Sequence, residues 1–124
     1  MPIRQENLRA EGSKGESVAA DFLEAKGCRI LDRNFHSRYG EIDLIYLDNS
    51  TLCFGEVKYR KSDRKGYPAE AVTRKKQGTI SRVSDYYRMK NGLGEDLRYR
   101  FDVIGIDGNG VEWLKNAFEY IPPK

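Results

Sequence analysis

The sequence predicts an α/β protein in which two helices flank one mixed β-sheet. Apolar runs of strand length and two helix-period segments follow one another as helix, strand, strand, strand, helix, strand, strand. Only the turn signal Asp48-Asn49-Ser50 separates the second strand from the third, so those two pair as a hairpin. A helix lies between the third and fourth strands, and such a crossover sets them parallel.

The first dozen residues are polar and aperiodic and read as a mobile arm. Ser13 and Glu16 then have capping-box spacing. Val18, Ala19, Phe22 and Leu23 form the apolar stripe of a first helix, which Gly27 ends. Cys28 to Phe35 is the first strand, Ile42 to Leu47 the second and Leu52 to Lys58 the third. The charged, Gly-containing stretch from Lys61 to Tyr67 is a loop. Pro68 suits an early helical position, and Val72, Ile80, Val83 and Tyr87 mark the buried stripe of a second helix running to Lys90. Asn91-Gly92-Leu93-Gly94 stops it. Arg100 to Ile106 and Val111 to Leu114 are the last strands, joined by the turn Asp107-Gly108-Asn109-Gly110, and residues 119–124 form a tail.

At 124 residues the chain is expected to form one domain that buries about two thirds of its unfolded surface. A third of the residues are charged and no apolar run approaches bilayer length, which excludes a helical membrane protein. Met1 to Glu6 lack a signal-peptide core, so the cytoplasm is the expected compartment. Cys28 and Cys53 have no CxxC spacing and read as small core residues, and His36 has no second histidine with which to build a zinc site.

Asp43 lies inside the second strand and Glu56 and Lys58 inside the third. A carboxylate in an apolar run needs a partner or a metal. Alternation puts Glu56 and Lys58 on one side of their strand, and the hairpin brings Asp43 towards them. Two carboxylates and an ammonium gathered there suit a hydrolytic site built on Mg²⁺ or Mn²⁺, with Asp43, Glu56 and the backbone carbonyl of Val57 as oxygen ligands. Lys58 would orient or deprotonate the attacking water, or stabilise the phosphate. The competing account of Glu56 and Lys58 is a solvated strand face of opposite charges.

Basic residues surround this pocket. Arg60, Lys61, Arg64 and Lys65 follow it, and Arg74, Lys75 and Lys76 lie near the start of the second helix, a distribution suited to a polyanion. Arg60, Arg74, Lys75 and Gln77 are the candidate nucleic-acid contacts, and Tyr39 and Tyr59 could stack on bases. Glu41 shares a strand face with Asp43 and reads as the exposed start of that strand. Asp102, between Phe101 and Val103, is expected to pair with a neighbouring arginine.

Gly15-Glu16, Ala19, Phe22-Leu23, Gly27, Ile30-Leu31 and Arg33-Asn34-Phe35 resemble the start of the YraN-like family of uncharacterised bacterial proteins. Gly40 to Ile45, Glu56-Val57-Lys58 with Arg60, Arg100 to Val103 and Asn116-Ala117-Phe118 continue the likeness, which spans Gly15 to Phe118. That family is similar to the restriction-endonuclease-like superfamily, whose signature is an Asp followed by a strand-borne (D/E)xK. The resemblance implies an αβββαβ core, metal-dependent DNA endonuclease chemistry and a branched or structured DNA substrate. Asp43, Glu56 and Lys58 take the three signature places, and Gly40-Glu41-Ile42 departs from the proline of the signature. Glu16 matches a first-helix glutamate that aids metal binding in resolvase-like relatives; its other reading is the capping box with Ser13. A branched substrate with two strands to cut implies a homodimer. The alternative function is a non-catalytic nucleic-acid-binding module on the same fold.

Overall fold

The computed structural model describes residues 15–59, 72–94 and 96–124. The expected arm, the Ser13 half of the capping box, the basic loop with Arg60 and the Pro68 helix start lie outside them. Helix α1 (residues 15–25) is followed by β1 (Arg29–Ser37), β2 (Gly40–Asp48) and β3 (Thr51–Tyr59). Helix α2 (Arg74–Lys90), β4 (Tyr99–Asp107) and β5 (Gly110–Phe118) complete the chain. The sheet runs in the order β1-β2-β3-β4-β5. All neighbours are antiparallel except β3 and β4, which pair parallel through the α2 crossover as the sequence predicts. From α1 to β4 this is the restriction-endonuclease-like αβββαβ order, with β5 added at the edge.

Each face of the sheet packs on one helix. Ala19, Ala20 and Leu23 of α1 meet Cys28, Leu44, Tyr46, Cys53, Ile104 and Ile106. Ile80, Val83 and Tyr87 of α2, with Val72 before it, meet Phe35, Ile42, Ile45, Phe54, Phe101 and Val103. The α2 stripe is as predicted. On α1, Ala20 is buried and Val18 is exposed, so the apolar stripe is turned by about one residue from the expected one. Both cysteines are free and buried, and burial first of all pushes the Cys53 thiol up to about 12.

Helix α2 opens at Arg74. Thr73 caps it, its side chain accepting from the Lys76 N–H at 3.1 Å. The Gln77 amide donates to the Val72 carbonyl at 3.0 Å and closes the entry to the helix. At the far end the Leu93 N–H returns to the Arg88 carbonyl and Gly92 takes a φ of 63°. Helix α1 ends similarly, the Cys28 N–H bonding the Leu23 carbonyl across Gly27 at φ 93°. Strand β5 outruns its predicted end by four residues, to Phe118, which stacks on Phe101 of β4 with ring centroids 5.1 Å apart.

Asp102 is fully buried on the α1 face of β4. Its carboxylate accepts from Arg100 through Nε (2.9 Å) and a terminal nitrogen (3.1 Å), and from Trp113 Nε1 (3.1 Å). The Tyr46 hydroxyl and the Asn116 N–H complete the set. Arg100 also bonds Asp48 at 2.8 Å, and Lys115 approaches the same carboxylate at 3.2 Å. The expected arginine partner is therefore present, within a network that ties β2, β4 and β5 together.

Gly55 sits where β3 passes between Ile104 and Tyr46. A Cβ there would lie 2.8 Å from Ile104 Cδ1 and 3.0 Å from Tyr46 Cε1. Gly55→Ala should therefore cost about 1–3 kcal/mol of stability by overpacking. Urea melts monitored by Trp113 fluorescence check this, and an unchanged midpoint would contradict it.

Candidate metal centre

The hairpin of β2 and β3 opens at one end, and the acidic residues occupy the opening. Their ladder runs from Asp48↔Thr51 to Leu44↔Gly55 and stops. The next position holds Asp43 on one strand and Glu56 on the other. Local irregularity explains the opening. In a regular strand Ile42 and Leu44 would share a face, yet Ile42 packs on the α2 side and Leu44 on the α1 side. Asn34, between the paired positions Arg33↔Leu44 and Phe35↔Ile42 of β1, takes a left-handed φ of 51° opposite Asp43. Alternation breaks on both strands together, and the Asp43 side chain turns into the gap.

There the Val57 N–H donates to Asp43 Oδ2 at 2.8 Å, a side-chain bond in place of the missing ladder bond. The N–H and C=O of an extended residue point to the same neighbour, so the Val57 carbonyl faces this gap too. Glu56 is buried on the α2 side beside Asp43. Burial first, then the contact with Glu56, push the Asp43 carboxyl up to about 7, against the opposing pull of the Val57 N–H and the Lys76 ammonium.

From the α1 side comes Glu16, in the first turn of α1. Single carboxylate oxygens of Glu16, Glu41 and Asp43 all lie within 4.8 Å of one another, so these three could hold a metal ion. Burial above all raises the Glu16 carboxyl; a hydrogen bond from Asn34 opposes this, and the charges of Asp43 and Glu41 add to it. Glu41, which the sequence suggested as a bystander, is thus half-buried within the cluster. Its carboxylate also lies 3.6 Å from Nδ1 of His36 in β1.

The structure brings Asp43, Glu56 and the Val57 backbone into contact. Lys58 lies on the Glu56 side of β3 by alternation and is half-buried. The ion pair of Glu56 is made by another lysine, Lys76, which reaches down from the first turn of α2 to 3.8 Å from Oε2. Sequence reading placed Lys76 only in a basic run. The signal for it was the crossover itself: a helix returning after β3 presents its N-terminal turn to the end of that strand. Arg74 and Lys75 are exposed in the same turn. Tyr39 and Tyr59 are both largely exposed, with the Arg38 guanidinium 5.0 Å above the Tyr39 ring.

Fold and site together define an α/β protein of the restriction-endonuclease-like class with an acidic cluster able to bind metal. The profile of the uncharacterised protein family UPF0102, also called the YraN family, matches residues 15–106, and the chain belongs to that family. It is 51% identical to a UPF0102 protein of Alkaliphilus oremlandii over 112 residues, 86% of this chain and 96% of the relative. A UPF0102 protein of Chromohalobacter salexigens is 42% identical over 123 residues, 96% of this chain and 98% of that one. Another from Lachnoclostridium phytofermentans is 42% identical over 113 residues, 91% of this chain and 96% of that one. Among the described residues no helix is long and apolar enough to cross a membrane.

Proposed function

We propose that this chain is a DNA endonuclease dependent on Mg²⁺ or Mn²⁺ and directed at branched or structured DNA. The observation that carries the reading is Asp43 turned into the open end of the β2–β3 hairpin, against Glu56 and the Val57 backbone. The donor set suits such an ion. It consists of hard oxygens from Asp43, Glu56 and the Val57 carbonyl, with Glu16 as a further ligand. A carboxyl lifted to about 7 by burial and a second carboxylate sits where a cation balances the charge.

A divalent ion there supplies charge neutralisation at the scissile phosphate and an activated water. The chain's own residues do the rest. Asp43 is held by the Val57 N–H, which fixes the orientation of its free oxygen. Glu56 is fixed by burial, and Lys58 on the same strand side orients the attacking water or accepts its proton. Arg74 and Lys75, exposed at the start of α2, and Arg60 hold the backbone of the strand, while Tyr39 offers a ring on which a base stacks. Two strands cut at a branch call for a homodimer.

The test is cleavage of single-stranded, duplex, flapped and four-way DNA with either metal. Glu56→Gln and Lys58→Ala should each slow cutting at least about 100-fold, as loss of a charge-stabilising group does. Cutting that survives both substitutions would belong to another site or a contaminant. Salt-sensitive DNA binding without any cutting, indifferent to chelator, would identify a binding module instead.

A further inference from the structure

Lys76 has a position that the nuclease reading does not use. Its ammonium stands 3.8 Å from Glu56 Oε2, beyond hydrogen-bond reach. The two partners differ in freedom: the Glu56 side chain is 9% exposed and the Lys76 side chain 40%. The carboxylate is set in the core, and the lysine is the end that can move, on a flexible four-carbon stem. The contrast with Arg100 is direct. That guanidinium grips the fully buried Asp102 carboxylate with two bonds of 2.9 and 3.1 Å, as a structural ion pair does. The Lys76 pair is long and open to solvent on one side.

The helix also disfavours a cation at this place. The first turn of α2 has no acidic residue and carries Arg74, Lys75 and Lys76, all at the positive end of the helix dipole. Three cations there need anions from elsewhere. The Asp43–Glu56 pair supplies one for Lys76, while Arg74 and Lys75 are exposed.

We propose that Lys76 is a built-in countercation for the Asp43–Glu56 pair, which yields its place to a divalent ion and then contacts the backbone phosphate of a bound strand. This rests on the metal-dependent reading of the same carboxylates. Lysine and divalent ion compete for one anionic pair, so removing the ammonium strengthens metal binding, and metal binding frees the ammonium for phosphate. A merely structural lysine would do the reverse, since its loss would loosen the site.

Calorimetric titration of Mn²⁺ into the native chain, Lys76→Met, Lys76→Arg and Arg74→Met tests the first half. Lys76→Met should bind roughly tenfold more tightly, the order expected for removing a unit charge several ångströms from a dication. Lys76→Arg should return to native affinity, and Arg74→Met, which changes the same turn without touching Glu56, should stay within about twofold of it. The second half is read from DNA binding against salt, with Ca²⁺ replacing Mn²⁺ to prevent cutting. Lys76→Met should lower the log–log slope by about one phosphate contact in Ca²⁺ and leave it unchanged in chelator. Native Mn²⁺ binding with Lys76→Met equal or weaker would overturn the role of Lys76 and leave the metal reading standing. Absence of Mn²⁺ binding by every variant would overturn both. An unchanged slope in Ca²⁺ would overturn the phosphate contact, whatever the affinities show.

Discussion

Asp43→Asn should weaken Mn²⁺ binding at least about 100-fold while making the metal-free protein more stable at pH 8. In the proposed metal site the loss follows from removing an anionic ligand of the ion. The gain follows from the Asp43 carboxyl itself, which burial and Glu56 lift from 3.8 to about 7. Between those values the folded chain keeps a proton that the unfolded chain has released. The resulting stabilisation is complete below the ordinary carboxyl value and disappears as pH rises through about 7. Thermal midpoints of the metal-free native chain should therefore fall by several degrees between pH 6 and pH 8, and those of Asp43→Asn should not. Asparagine keeps an oxygen to accept the Val57 N–H, so the hairpin opening is preserved. Mn²⁺ should reverse the trend in the native chain, raising the midpoint more at pH 8, where the ligand is already ionised. A native midpoint that is flat or rising over this range without metal would refute the shared-proton arrangement.

Asp102→Ala should destabilise the fold by about 3–5 kcal/mol, a large part of the 5–15 typical of a domain. The carboxylate is wholly buried, and every group around it donates: Tyr46, Arg100, Trp113 and the Asn116 N–H. Alanine leaves the Arg100 charge with Asp48 alone and strands the Tyr46 hydroxyl donor, while the Trp113 indole keeps only its bond to the Tyr46 oxygen. Asp102→Asn is isosteric yet should also be costly, because its NH₂ would face donors on either side. Denaturant midpoints of both variants measure the effect, and a loss under about 1 kcal/mol for either would mean that the network contributes little. The residue lies on the α1 face of β4, where its carboxylate is taken up by Tyr46, Arg100, Trp113 and the Asn116 N–H. Asp102→Asn that remains folded should therefore keep its Mn²⁺ affinity.

Much of the sheet was legible beforehand because strand and helix patterning are local. The Asp48-Asn49-Ser50 turn specifies the β2–β3 hairpin, and a helix between β3 and β4 leaves them little choice but parallel pairing. Thr73 caps α2 through the bond from the Lys76 N–H, a contact that sequence pattern does not single out. Val18 was misassigned because the stripe of a short helix can rotate by one residue without changing its apolar count. Strand β5 was cut short because Lys115 and Asn116 interrupt its alternation. Asn116 takes a φ of 53°, and its N–H is held by Asp102, so the strand resumes beyond it.

The chemical character of the candidate site was determined by sequence alone: carboxylates inside apolar strands must be paired or ligated, and their spacing across one hairpin brings Asp43 and Glu56 together. Tertiary structure alone decided who else is present. Glu41 returns through the broken alternation opposite Asn34 and Lys76 descends from α2, joining Glu16 of α1, which the family resemblance already suggested. Their convergence depends on where helices dock on a sheet and on the strand gap that Asp43 fills. Those are long-range packing outcomes, and residue periodicity carries no record of them.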